Sequence, residues 1–141
     1  MRRLRHDNFW MKGMRRVVLL LALSLAAVAL RAQEAPAEGP RLVFDRETHD
    51  FGRIPGRGGK VSCEFPFTNR GTAPLVITRI VTSCTCTKGS FPKRPVAPGG
   101  TGTVTITYDP AQQQGVFFKA IQVYSNDGRK RVIVTVKGEV Y

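Results

Sequence analysis

From Val61 to Thr68 the chain alternates, with Val61, Cys63, Phe65 and Phe67 on one side and Ser62, Glu64 and Thr68 on the other. A period of two sets apolar side chains on one face of a β-strand and polar ones on the opposite face. The predicted strand ends at Asn69-Arg70-Gly71, a turn sequence. Alternation returns over Thr103–Tyr108, with Val104, Ile106 and Tyr108 inward and the threonines outward, and Asp109-Pro110 closes it. Val116–Tyr124 and Lys130–Val140 continue the pattern, the latter with Val132, Val134 and Val136 on one face. Between them Ser125-Asn126-Asp127-Gly128 carries an Asp-Gly pair, a hairpin signal. Shorter strands are predicted at Leu42–Phe44 and Thr48–Arg53, followed by a turn at Gly56-Arg57-Gly58-Gly59. Leu75–Ser83 is rich in β-branched residues, and its faltering alternation between Ile77 and Ile80 predicts a bulge. Cys84–Gly100, with Pro92, Pro95 and Pro98, reads as irregular.

No helical period holds beyond Arg41. Seven strands separated by turn signals in about 100 residues predict an all-β fold, an immunoglobulin-like β-sandwich, with an up-and-down barrel as the second choice. The antibody-type Cys-Trp-Cys pattern is absent, because the single tryptophan is Trp10.

The first 32 residues follow a different rule. Residues 1–16 carry Arg2, Arg3, Arg5, Lys12, Arg15 and Arg16 against one acid, Asp7, and Val17–Leu30 is then apolar except for Ser24. A basic stretch, a short apolar core and a small residue at the cut make a signal peptide, with cleavage after Ala32 and Ala29 as an alternative. Fourteen residues of helix span about 21 Å, short of the ~30 Å of hydrocarbon that a membrane anchor must cross. The expected organisation is therefore a signal-peptide helix at 1–32, a disordered lead at 33–40 and one domain at 41–141, secreted or periplasmic. An uncleaved, membrane-anchoring signal is the alternative. The basic stretch is long, and Met11 and Met14 offer later starts that leave a more compact signal.

Export changes the meaning of the charge. Seven of the 22 basic residues and one of the ten acidic ones leave with the signal, so 15 and 9 remain, a net of +6. That surplus suits a solvated surface or an anionic envelope component, and no basic run interleaved with aromatics points to nucleic acid. Three cysteines remain, Cys63, Cys84 and Cys86, an odd number for a compartment that permits disulfides.

Taken in order, several segments resemble a bacterial family, domain of unknown function 1573. They are Thr48-His49-Asp50-Phe51-Gly52, Phe65-Pro66-Phe67-Thr68-Asn69-Arg70-Gly71, Pro74-Leu75-Val76-Ile77, Ser83-Cys84-Thr85-Cys86-Thr87 and Pro98-Gly99-Gly100, with Tyr124-Ser125-Asn126-Asp127 near the end. The resemblance covers about residues 41–140. It implies an exported immunoglobulin-like domain, similar in fold to HYDIN and major sperm protein domains, and no established activity. One position departs from the family pattern: Thr85 stands where the family usually has glycine, and a β-branched residue resists backbone angles open to glycine.

Cys84 and Cys86 are the sharpest chemical feature. Residues two apart in an extended chain share a side and lie about 6.5–7 Å apart. Such a pair suits a soft metal or redox exchange, although a direct Cys84–Cys86 bond closes a very small ring. Cys63 could instead form a disulfide with Cys84 or Cys86 if their Cα atoms come within ~7 Å. A four-ligand metal site would need Cys63, Cys84, Cys86 and His49 together. No cofactor is expected. His49 and Asp50 point to opposite faces of a strand, which argues against a catalytic pair, and no other catalytic constellation appears. Phe117 and Phe118 must likewise part, so one exposed aromatic near Tyr124 could meet a partner. Lys93-Arg94 and Arg129-Lys130-Arg131 read as loop and hairpin charges. The expected function is a non-enzymatic binding or structural module of the cell envelope that meets a protein or another envelope component. The alternative is a periplasmic metal-binding or thiol redox protein.

Overall fold

The computed structural model describes residues 38–141, so the predicted signal helix and the start of the lead lie outside the described residues. Eight strands follow in order: β1 (Leu42–Phe44), β2 (Thr48–Ile54), β3 (Val61–Asn69), β4 (Ile77–Thr82), β5 (Thr87–Ser90), β6 (Thr101–Tyr108), β7 (Gly115–Ser125) and β8 (Val132–Val140). They form two four-stranded sheets, ordered β1-β3-β6-β5 and β2-β8-β7-β4. All neighbouring pairs are antiparallel except β2 and β8, which run parallel. No helix among the described residues is long and apolar enough to cross a membrane.

The alternation read from the sequence places the core. Phe65, Phe67, Val104, Ile106 and Tyr108 of the first sheet meet Ile121, Val123, Val134 and Val136 of the second, and all are buried. Each apolar side chain of this size contributes on the order of 1.5–3 kcal/mol when fully buried. The outward faces differ. On the first sheet Thr101, Thr103, Thr105 and Thr107 stand opposite Thr68, Pro66, Glu64 and Ser62, a polar, solvated surface. On the second, Val116 and Phe118 of β7 stand 85% and 68% exposed, and farther along the same face Val81 and Ile133 flank Gln122.

Two expectations change. A strand, β5, lies inside the stretch read as irregular, and pairs with β6 from Thr87↔Tyr108 to Ser90↔Thr105. It is only four residues long, and its burial alternates through Thr87 and Gly89 rather than through large apolar side chains, so it leaves no hydrophobic period. The β7–β8 hairpin exists, but its strands stop at Ser125 and Val132, so Asp127-Gly128 sits inside a longer loop. The predicted bulge is present as a register shift between Ile77 and Arg79. A second shift breaks β2 between Asp50 and Arg53, where Gly52 adopts φ +67°. Facing it on β8 is Gly138, where a Cβ would lie 2.8 Å from the Gly52 carbonyl oxygen and 2.9 Å from the Phe117 ring. The two glycines let the parallel edge strand cross its neighbour at close range.

Candidate functional site

The two ends of the sandwich are built differently. At the near end, where residue 38 enters, three short polar side chains tie distant loops together. Asn69 ends β3, is fully buried, and uses its whole hydrogen-bonding capacity. Its Oδ1 accepts from the Arg41 and Gly71 amides at 3.1 and 3.0 Å, and its Nδ2 donates to the Ala73 and Val96 carbonyls at 2.8 and 2.9 Å. Its backbone amide donates to the Gly100 carbonyl and its carbonyl accepts from the Gly99 amide. Asn126 accepts from the Val76 amide and donates to the Pro74 carbonyl, which fixes the approach to β4. Asp127 takes the Leu42 amide and the Arg129 side chain, while the Arg129 guanidinium also donates to the Leu42 carbonyl. Arg129 is therefore a clamp on edge strand β1, not a free hairpin charge. Burial pushes the Asp127 carboxyl up, but the bonds from Arg129 and the Leu42 amide outweigh it and hold the group below the ordinary carboxylate range. Asn69, Asn126 and Asp127 carried turn signals in the sequence, and nothing local in them named their distant partners. Gly39, inside the stretch expected as lead, already exchanges hydrogen bonds with Thr72.

At the far end, the β4–β5 connection carries the cysteine motif. Cys84 and Cys86 are joined by a disulfide, with Cα atoms 5.2 Å apart. The Thr87 amide donates to the Cys84 carbonyl at 3.2 Å and closes a four-residue turn. The Thr82 hydroxyl lies within bonding reach of the Cys84 and Thr87 carbonyls, at 3.2 and 3.1 Å. The Cys86 amide donates to Cys84 Sγ at 3.0 Å. Neither Thr85 nor Cys86 has a positive φ, as suits a type I turn, so threonine fits where the family pattern has glycine.

Cys63 departs from the expected pairing. It is free, buried in the core face of β3, and its thiol is pushed up to about 11 by desolvation, against a weaker opposing pull from Arg46. Register sets Cys63 beside Ile106 and Ile106 beside Gly89, so β6 and three residues of β5 separate it from Cys86. Sheet spacings place the two Cα atoms about 14 Å apart, twice the reach of a disulfide. His49 sits on β2 of the other sheet, edge-on to the Phe51 ring at 4.6 Å. The four candidate metal ligands are thus not brought together, and no cluster of three ligands forms among the described residues. Desolvation, then Arg46, lowers the His49 pKa. Asp50 turns the other way, to its own Gly52 amide at 2.8 Å and to Lys137 at 3.5 Å. The amide bond lowers its carboxyl most.

Phe117 and Phe118 part as predicted. Phe117 stacks on Tyr108 in the core at 4.2 Å, while Phe118 faces outward on the side that also carries Tyr124. A shallow hollow beside Val116 and Phe118 is rimmed by Asp50 with Lys137 and by Arg53 with Glu139, both ion pairs. Arg79 covers the Tyr124 ring at 4.1 Å.

The strand order, with β1 and β2 on different sheets, defines an immunoglobulin-like β-sandwich. Residues 42–140 match the family described as protein of unknown function DUF1573, and the chain belongs to that family. No curated protein matches the sequence. Among solved structures, a protein of unknown function from Porphyromonas gingivalis W83 is 19% identical, with a TM-score of 0.63, over 76% of this chain and 50% of that one. The VesB protease of Vibrio cholerae is 24% identical, with a TM-score of 0.56, over 70% of this chain and 31% of that one. The PapD-like domain 7 of human CEP192 is 11% identical, with a TM-score of 0.58, over 79% of this chain and 91% of that one. This chain spans half the length of the first and less than a third of the second. At these identities the likeness is one of fold.

Proposed function

We propose that this chain is an exported, non-enzymatic binding module of the cell envelope, which meets a protein partner through the outer face of the β2-β8-β7-β4 sheet. Residues 1–32 act as the signal peptide, 33–40 as a lead and 41–141 as the binding domain. One observation carries the reading. Phe118 and Val116 stand exposed in a row on one sheet face, whereas the opposite sheet presents threonines. An exposed aromatic beside aliphatic side chains and a rim of charges has the composition of a protein interface core. The rim charges are paired with each other, so they set the orientation of a partner more than its affinity.

A photo-activated cross-linker at position 118 should capture a defined envelope protein, and the same group at Thr105 on the other sheet should not. Equal capture at both positions, or none at 118, would sink the proposal. Replacing Phe118 by Ser should abolish the capture by a cross-linker at Val116 while shifting stability by no more than about 0.5 kcal/mol, because the ring is already in water. Fractionation of cells, with N-terminal sequencing of the processed chain, tests export; a mature start at Gln33 is expected.

The second reading is metal binding or thiol redox chemistry centred on Cys84 and Cys86. The bond between the two sulfurs favours its redox side, since a disulfide offers no thiolate to a metal.

A further inference from the structure

The Cys84–Cys86 bond joins residues two apart within a turn that other bonds already hold. A cross-link restrains the unfolded chain in proportion to the logarithm of the loop it closes, and this is among the shortest loops a disulfide can close. It links no two distant parts of the fold. The β4–β5 turn is fixed by the Thr87 amide on the Cys84 carbonyl and by the Thr82 hydroxyl, and none of these contacts requires the sulfurs to be bonded. Opening the bond therefore leaves both thiols in place and within reach of each other. The third thiol, Cys63, is buried about 14 Å away by sheet spacing and cannot compete for either.

The two sulfurs are not equivalent. Both are half-buried, but Cys86 packs against the hydrophobic core and Cys84 is not part of that packing. The Cys86 amide points its hydrogen at Cys84 Sγ. The packing of Cys86 against the core leaves Cys84 as the sulfur a donor reaches first. An amide donor favours the thiolate over the thiol, which makes Cys84 the more available nucleophile at neutral pH and the better leaving group in the step that frees it from a mixed disulfide.

We infer that Cys84 and Cys86 form a reversible two-electron thiol–disulfide centre, with Cys84 as the sulfur that carries the mixed disulfide and Cys86 as the one that resolves it. This inference deepens the second, redox reading above and rests on it, and it is separate from the binding reading. In the reducing direction, the thiolate of a thiol donor attacks Cys84 Sγ. The donor–Cys84 bond forms, the Cys84–Cys86 bond breaks, and Cys86 leaves as thiolate. A second donor thiolate attacks the donor sulfur of the mixed disulfide. The donor disulfide departs, and Cys84 leaves as thiolate with its charge on the Cys86 amide. Two thiols lose two electrons and two protons, and the pair gains them. The reverse course, with Cys84 attacking a substrate disulfide, oxidises the pair.

The test uses the full processed chain with glutathione as the probe. The oxidised protein, equilibrated with mixtures of reduced and oxidised glutathione under native conditions, should pass reversibly between disulfide and dithiol, as read by alkylation and intact mass. In the Cys86→Ser variant, oxidised glutathione should label Cys84 at least about tenfold faster than it labels Cys86 in Cys84→Ser, a difference of about 1.4 kcal/mol in activation free energy. The rate for Cys84 should also reach half its maximum at lower pH. Because Cys86 touches the core, circular dichroism of both variants accompanies the kinetics. Should Cys86→Ser fail to fold, trapping of the glutathione adduct in the wild-type chain, followed by peptide mapping, places the adduct instead. A bond that opens only in denaturant, equal rates in the two variants, or an adduct mapped to Cys86 would each overturn the assignment.

Discussion

The two ends of this sandwich solve one problem, the fixing of loops between sheets, by opposite means. At the near end, Asn69, Asn126 and Asp127 reach across 27 to 85 residues of chain to hold backbone amides and carbonyls. At the far end, the side-chain bonds of the β4–β5 turn span two to five residues, and the covalent bond spans two. The far end also tolerates an orphan: the Tyr108 hydroxyl, stacked over Phe117, is the buried side-chain polar atom without a partner among the described residues. Hydrogen bonds at the near end bind the fold together, while the covalent bond at the far end binds almost nothing that was not already close. Bond strength and structural consequence are thus separable, and the second depends on how much chain entropy the contact removes.

The largest effect should come from Asn69→Leu. It leaves the Arg41 and Gly71 amides and the Ala73 carbonyl without partners in a part-buried site, while the Val96 carbonyl keeps the Leu75 amide. At about 1–3 kcal/mol each, though not additively, a loss of about 3–5 kcal/mol is expected. The urea midpoint at unchanged m-value measures it. Asn69→Asp should be no milder, since it turns two donors into acceptors that face the Ala73 and Val96 carbonyls. A loss comparable to that of an ordinary surface substitution would erase the contrast between the two ends.

Asp127→Asn should cost about 2–3 kcal/mol at neutral pH, because it takes the charge from a buried carboxylate hydrogen-bonded to a half-buried arginine. The folded-state pKa of Asp127 lies below its unfolded value. The unfolded chain therefore binds the proton first, and the contribution of Asp127 is complete above the ordinary Asp range of about 3.9. It is lost as pH falls from there through the lower folded value. Unfolding midpoints over this acid range should fall with pH in the wild type and fall less in Asp127→Asn.

At the far end, replacing both Cys84 and Cys86 by Ser should cost no more than about 2 kcal/mol, the entropy expected for so short a loop. That is less than Asn69 alone, although a covalent bond is removed. A larger loss would mean that the disulfide, not the hydrogen-bonded turn, holds the β4–β5 connection. The smallest effect carries the opposite sign. Tyr108→Phe removes a buried hydroxyl that has no partner and should leave stability unchanged or raise it by up to about 1 kcal/mol, as read from the same urea midpoint.

Much of the architecture was legible in the chain. Period-two alternation is a local property, so β3, β6, β7 and β8, their inward residues, and the separation of Phe117 from Phe118 could be read without knowing what each strand would touch. The bulge near Ile77 showed itself in the same way. The opposing faces of His49 and Asp50 followed from strand geometry alone.

What lay beyond the sequence depended on partners far along it. Nothing in Thr48–Ile54 states that it will run parallel to β8 and kink at Gly52, because that is set by the approach of Gly138 and Phe117. The strand at Thr87–Ser90 has too few apolar residues to show a period and exists because β6 offers it a ladder. Asn69 and Asp127 carry the same letters as ordinary turn residues; only burial and register turned them into the ties of the near end. The sulfurs show the divide most clearly. The spacing of Cys84 and Cys86 was plain in the chain, but the exclusion of Cys63 was decided by two strand widths and three residues of register, distances that exist only once the sheet has formed.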